Sequence, residues 1–203
     1  MCIICCSAAG TRQPSEDTLR RMFDHNPHGA GYMYARNGRV TICKGFMTWQ
    51  DFSRAVRREA FTAADPVVYH FRISTQAGVN PEMTHPFPLT ANKGLHQKLD
   101  LTCPVGIAHN GIISLTSDRS ERTYSDTSLF IAQYMTKIIK RRKDLDDADK
   151  LEMIYLLAQS KFCFLAGDGA IRTVGRFTEK DGILLSNENH LHAWSTIGNY
   201  YTR

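Results

Sequence analysis

The chain has 203 residues, 42% of them apolar, and a formal net charge of +5. That is enough apolar side chain for one domain with a real core, no apolar run approaches the roughly 18 residues of a membrane span, and the charge is too mild to argue for a nucleic-acid partner. The one basic run, KIIKRRK at 137–143, sits where a helical pattern ends, and cations there favour the helix dipole. Six cysteines without paired CxxC spacing or a signal peptide lead to the expectation of a reduced, soluble, cytoplasmic protein, a single domain over 1–203.

In chain order, Ile3, Ile4 and Ser7 suit a short buried strand, with Ile4 and Cys6 on the face shared with Cys2 and Cys5 opposite. The cap residues at 15–18 open a helix that carries Leu19, Met22 and Phe23, and the Asn-Pro-His-Gly of 26–29 ends it. Asn37-Gly38 between 31–36 and 39–44 predicts a hairpin. Residues 48–60 predict a helix with Trp49, Phe52 and Val56 on one face, and 67–71 (VVYHF) a central strand. From 73 to 104, Gly78, Pro81, Pro86, Pro88 and Gly94 interrupt every pattern, and a loop of that length in a compact domain is usually functional. A strand at 105–109, helices at 126–141 and 144–159, a hairpin at 162–166 and 170–174, and strands at 183–185 and 191–194 follow. Strands, then helices, then strands, without βαβ alternation, indicate α+β with antiparallel sheets.

The chemistry begins at Cys2. Removal of Met1 would give this residue a thiol of ordinary pKa about 8.5 and a free α-amine of about 7.7–8, so that one residue supplies nucleophile and base. Taken singly, Cys2 could be core filling, Arg72 a surface ion-pair partner, His109 a core histidine and Asn110-Gly111 a turn. Their weight comes from their order: Cys2, HFRIST (70–75), THPF (84–87), AHNGII (108–113) and YSDTS (124–128). A metal site from Cys5, Cys6, His190 and His192 lacks ligand spacing, and Gly29-Ala30-Gly31 lacks the third glycine of a dinucleotide fingerprint.

That succession resembles the glutaminase domain of the class II glutamine amidotransferases, within the N-terminal nucleophile (Ntn) hydrolases, and is closest to the short free-standing members. The resemblance covers about the first two thirds of the chain. It implies a four-layer αββα sandwich of two antiparallel sheets. It implies Cys2 as nucleophile, Arg72 as a bidentate grip for the glutamine α-carboxylate, Asp126 for the α-ammonium, Asn110 and the Gly111 backbone N–H as the oxyanion hole, and Thr75 and His85 as pocket supports. Ile3, His28 and Gln76 depart from the family's common residues. The implied reaction is hydrolysis of the glutamine side-chain amide, with no cofactor and no metal, the ammonia going to a separate synthetase subunit. Two alternatives remain: a stand-alone γ-glutamyl amide hydrolase of the same fold, and a non-catalytic descendant that binds a ligand or partner.

Overall fold

The computed structural model describes residues 1–73, 80–116 and 123–191. Strand β1 (Ile3–Ser7) is buried along its whole length, and its alternating side chains enter two different cores. It is followed by α1 (Glu16–His25), β2 (Ala30–Arg36), β3 (Arg39–Phe46), α2 (Trp49–Glu59) and β4 (Val67–Phe71). Next come β5 (Phe87–Pro88), α3 (Lys93–His96), β6 (Asp100–Cys103) and β7 (Val105–Asn110). Helix α4 (Asp126–Phe130) runs through a π-helical turn, Ile131–Met135, into α5 (Thr136–Ile138), and α6 (Ala148–Ala158) leads to β8 (Lys161–Ala166), β9 (Ile171–Val174), β10 (Thr178–Lys180) and β11 (Ile183–Leu185).

The strands form two antiparallel sheets, one of seven in the order β10-β11-β1-β4-β2-β3-β6 and one of four in the order β5-β7-β8-β9. The chain is α+β, as its element order indicates. Ile4, Cys6, Met33, Ile42 and Val68 of the larger sheet pack against Ala108, Cys163 and Leu165 of the smaller one. On its other face the larger sheet carries Ile3, Cys5, Tyr69 and Phe71, packed with Leu19, Met22 and Phe23 of α1 and Phe52 of α2. A third cluster joins Ile107, Phe162 and Phe164 to Phe130, Ile131, Met135 and Ile154 of the later helices. The alternation expected for Ile4, Cys5 and Cys6 is therefore the alternation observed.

The structure corrects several boundaries. The helix expected over 126–141 stops at Ile138, because the buried Asp144 carboxylate takes the backbone N–H groups of Lys140 and Arg141 at 2.9 and 2.8 Å. Lys150 Nζ closes the same carboxylate at 2.6 Å; this ion pair and the two amides hold its pKa below the ordinary range. The second helix begins at Ala148 behind the Asp147 cap rather than at 144, since Arg142–Asp146 form a 3₁₀ turn. Within 73–104, β6 pairs with β3, Val40 opposite Cys103, where a loop was expected. Thr178–Lys180 adds an exposed edge strand that no pattern announced. Leu191 lies in a 3₁₀ turn, and the rest of the strand expected at 191–194 lies outside the described residues. Among the described residues no helix is long and apolar enough to cross a membrane.

Candidate functional site

Register places the first pair of site residues. Ile3 lies opposite Phe71 in the antiparallel pairing of β1 with β4, so the next residues outward, Cys2 and Arg72, leave the ends of two adjacent strands together. The Arg72 backbone is fixed there, its N–H on Gly29 O at 2.8 Å and its carbonyl accepting from His28 N at 3.1 Å. Cys2 is held by its own backbone: Asn187 Nδ2 donates to Cys2 O at 2.6 Å, and the thiol lies 3.8 Å from Ile73 O. Met1 precedes it, exposed, with its carbonyl accepting from Asn26 Nδ2 at 3.0 Å; the same amide donates to Phe71 O at 3.0 Å. Asn26 is the C-cap of α1 and is itself buried.

Burial pushes the Cys2 thiol up, against the Ile73 backbone, the chain's N-terminal positive charge and Arg72, which all pull it down; Asp126 pushes it further up. Arg72 is pushed down by burial and held up by Cys2 and Asp126. Arg72 and Asp126 therefore both bear on the Cys2 thiol, with opposite signs. The thiol rests protonated at neutral pH, so a nucleophilic role requires a base.

The remaining pieces come from the smaller sheet. Asn110 is the last residue of β7, and Gly111 turns the chain away at a φ of +149°. A Cβ at Gly111 would stand 2.0 Å from Ser160 Oγ, so only glycine permits this approach. Asp126 opens α4; its Oδ2 accepts from Ile113 N at 2.8 Å and its Oδ1 from Thr127 N at 2.8 Å, which ties the chain after Gly111 to the helix. Its carboxylate thus anchors the segment that follows Gly111.

His85 lies in the loop before β5 and is buried. Its ring centroid lies 4.4 Å from that of His70 and 5.9 Å from that of His109, and neither of its ring nitrogens has a partner among the described residues. His70 Nε2 donates to His109 O at 3.0 Å, since a carbonyl only accepts, and His109 Nδ1 meets Thr127 Oγ1 at 2.8 Å. Lys44 Nζ, also buried, donates to His96 O at 2.6 Å and Glu82 O at 2.8 Å. Burial pushes Lys44 down to about 6, and a neutral amine has two N–H groups for those two carbonyls. The THPF segment is sewn to β3, with Gly45 N donating to Thr84 Oγ1 at 2.8 Å, and a Cβ at Gly31 would meet His85 O at 2.2 Å. Thr75 lies outside the described residues.

Sequence reading missed Asn26, Ser186 and Asn187, which grip the first four residues from distant parts of the chain. Ser186 Oγ accepts from Ile4 N at 2.9 Å, Ser186 N donates to Ile4 O at 3.0 Å, and Asn110 Nδ2 donates to Ser186 Oγ at 2.9 Å. Among the described residues no group of three or more His, Cys, Asp or Glu is arranged to hold a metal. Cys5 and Cys6 are core residues with thiols pushed well up by burial, Cys6 Sγ lying 3.2 Å from Cys163 Sγ across the two sheets. No protein-family model matches the chain, and no curated protein matches it.

Proposed function

We propose that this chain is a class II glutamine amidotransferase-like amide hydrolase with an N-terminal cysteine nucleophile, built on the αββα sandwich of the Ntn hydrolases. One observation carries the reading: Cys2 and Arg72 leave the ends of two paired strands side by side, and the charges of Arg72 and Asp126 both bear on the Cys2 thiol. Hydrolysis of a free amino acid's side-chain amide needs a nucleophile, a cationic grip, an anionic grip and an oxyanion site; Asn110 and Gly111 are candidates for the last. The helix packing on the outer faces of two apposed sheets is compatible with the αββα arrangement.

In this mechanism the α-amine of Cys2, free after Met1 removal, takes the thiol proton as sulfur attacks the side-chain carbonyl carbon. The oxyanion draws on Asn110 Nδ2 and Gly111 N–H, and the amine returns the proton to the leaving nitrogen, releasing ammonia. Water, deprotonated by the same amine, attacks the γ-glutamyl thioester; glutamate leaves and the thiol is restored. Arg72 holds the α-carboxylate and Asp126 the α-ammonium, while His85 and Thr75 support the pocket. The reaction needs no cofactor, and the ammonia passes to a separate synthetase subunit in the cytoplasm.

The test compares the chain beginning at Cys2 with one whose N-terminus is blocked by an uncleaved extension before Met1. Steady release of glutamate from glutamine by the first and none by the second is expected, with equal thermal midpoints. Equal turnover by both would return Cys2 to the core.

A further inference from the structure

The hydrogen bond between Asn110 and Ser186 points to how the oxyanion donor is oriented. Both residues are buried, and Asn110 Nδ2 donates to Ser186 Oγ while Asn110 Oδ1 has no partner among the described residues. Ser186 Oγ also receives the Ile4 N–H. A hydroxyl has two acceptor sites and one proton, so this arrangement fills both acceptor sites, uses no hydroxyl proton and strands a buried carbonyl oxygen. Turning the Asn110 amide by about 180° exchanges its oxygen and nitrogen without changing its shape. Ser186 O–H then donates to Oδ1, the Ile4 N–H keeps its acceptor, the hydroxyl proton is used, and the atom left without a partner among the described residues is Nδ2, a donor, in place of a carbonyl oxygen.

We infer that Ser186 is a positioning residue that locks Asn110 in this turned orientation, so that both Nδ2 protons face away from Ser186 and one is available to the developing oxyanion. The inference rests on the glutaminase reading. In the opposite orientation a carbonyl oxygen would face the oxyanion and repel it. The device sits where it controls both halves of the site. Lys161 Nζ fixes the Ser186 carbonyl at 2.6 Å, Ser186 pairs with Ile4 two residues from the nucleophile, and the neighbouring Asn187 holds the Cys2 carbonyl. Nucleophile and oxyanion donor are therefore registered against one another by two consecutive residues after β11. A hydroxyl suits the role because it accepts from Ile4 and donates to Asn110 at once, which neither an ammonium nor a carbonyl does.

The experiment uses the full chain beginning at Cys2, with glutamine as substrate. Ser186→Ala should lower kcat by at least about ten-fold with KM within about two-fold, and Ser186→Thr, which keeps the hydroxyl, should recover most of the loss. Because Ser186 acts through Asn110, the double variant Ser186→Ala/Asn110→Ala should be no slower than Asn110→Ala alone. Multiplying losses, or an unchanged kcat in Ser186→Ala, would overturn the inference. Neutron diffraction from the unsubstituted chain reads the orientation without turnover or substitution. Deuterons on the amide atom facing away from Ser186 support the inference, and deuterons on the atom facing Ser186 overturn it. An unsubstituted chain that releases no glutamate fails the glutaminase reading, and the neutron result still decides the orientation.

Discussion

The two faces of β4 are built from different chemistry. Tyr69 and Phe71 point into an aromatic cluster in which Phe52 meets Phe71 at 5.3 Å, Phe46 and Trp49 at 5.9 Å, Phe23 at 6.2 Å and Tyr32 at 6.3 Å between ring centroids. On the other face His70 lies against His85 and reaches the His109 carbonyl, near a buried lysine. Apart from the Tyr69 hydroxyl, which donates to Gln13 Oε1 at 3.2 Å, groups on the first face require only contact. Those on the second occupy their places as neutral species, so their burial is conditional on pH. A period of two residues lets one strand serve stability with one parity and the site with the other.

Acid should expose that difference most strongly. Burial lowers His70 to about 3 and His96 and His109 to about 4, and it lowers His85 as well, with His70 and His109 adding to the shift. Depressed histidine pKa values mean that below about 6.5 the unfolded chain binds protons the folded chain refuses. Stability therefore rises with pH across the window from about 4 to 6.5 and is lost as pH falls through it, by about 2 kcal/mol per histidine at pH 5. Lys44, lowered to about 6, contributes with the same sign between about 6 and 10.4, the unfolded value. Urea titrations from pH 8 to 4.5 should show a steep fall that begins above the carboxylate range; a curve level down to pH 5 would break the comparison.

Phe52→Ala probes the other face. It should cost about 3–5 kcal/mol in denaturant midpoint and leave the acid slope unchanged. A smaller effect falls on the site alone: Arg72→Lys keeps the charge and loses the planar fork, so kcat/KM for glutamine should drop by about ten-fold or more, about 1.4 kcal/mol, at constant thermal midpoint. The smallest is Thr48→Ala, which removes the side-chain acceptor of Asp51 N at the start of α2 and should cost about 1 kcal/mol of stability with no kinetic consequence.

Local chemistry made much of this fold legible in the sequence. Asn37-Gly38 stands at the β2–β3 turn with both residues at positive φ, Ser15 and Thr48 cap α1 and α2, and the β-branched and aromatic run at 67–71 is β4. Asn110-Gly111 at the end of β7 was readable as a motif with a position. What escaped depends on distance along the chain. Strand β6 has only four residues, too few for its alternation to stand out, and its reason to extend is the edge of β3. The break after Ile138 follows from a carboxylate several residues ahead. Ser186 and Asn187 look like ordinary turn residues until the fold brings them to Ile4 and Cys2, 182 and 185 positions away. His85 lies in a loop, and its burial escaped because THPF contains no sign that His70 and His109 close over it.

The pairing of Ile4 with Ser186 also orders events in time. At a synthesis rate of about 5–20 residues per second, on the order of ten to forty seconds separate the emergence of the first strand from that of its last described neighbour. Throughout that interval β1 lacks β11, and the Asn187 that will hold the Cys2 carbonyl does not yet exist. The first strand and Cys2 are thus open on that side until the residues that enclose them have been made.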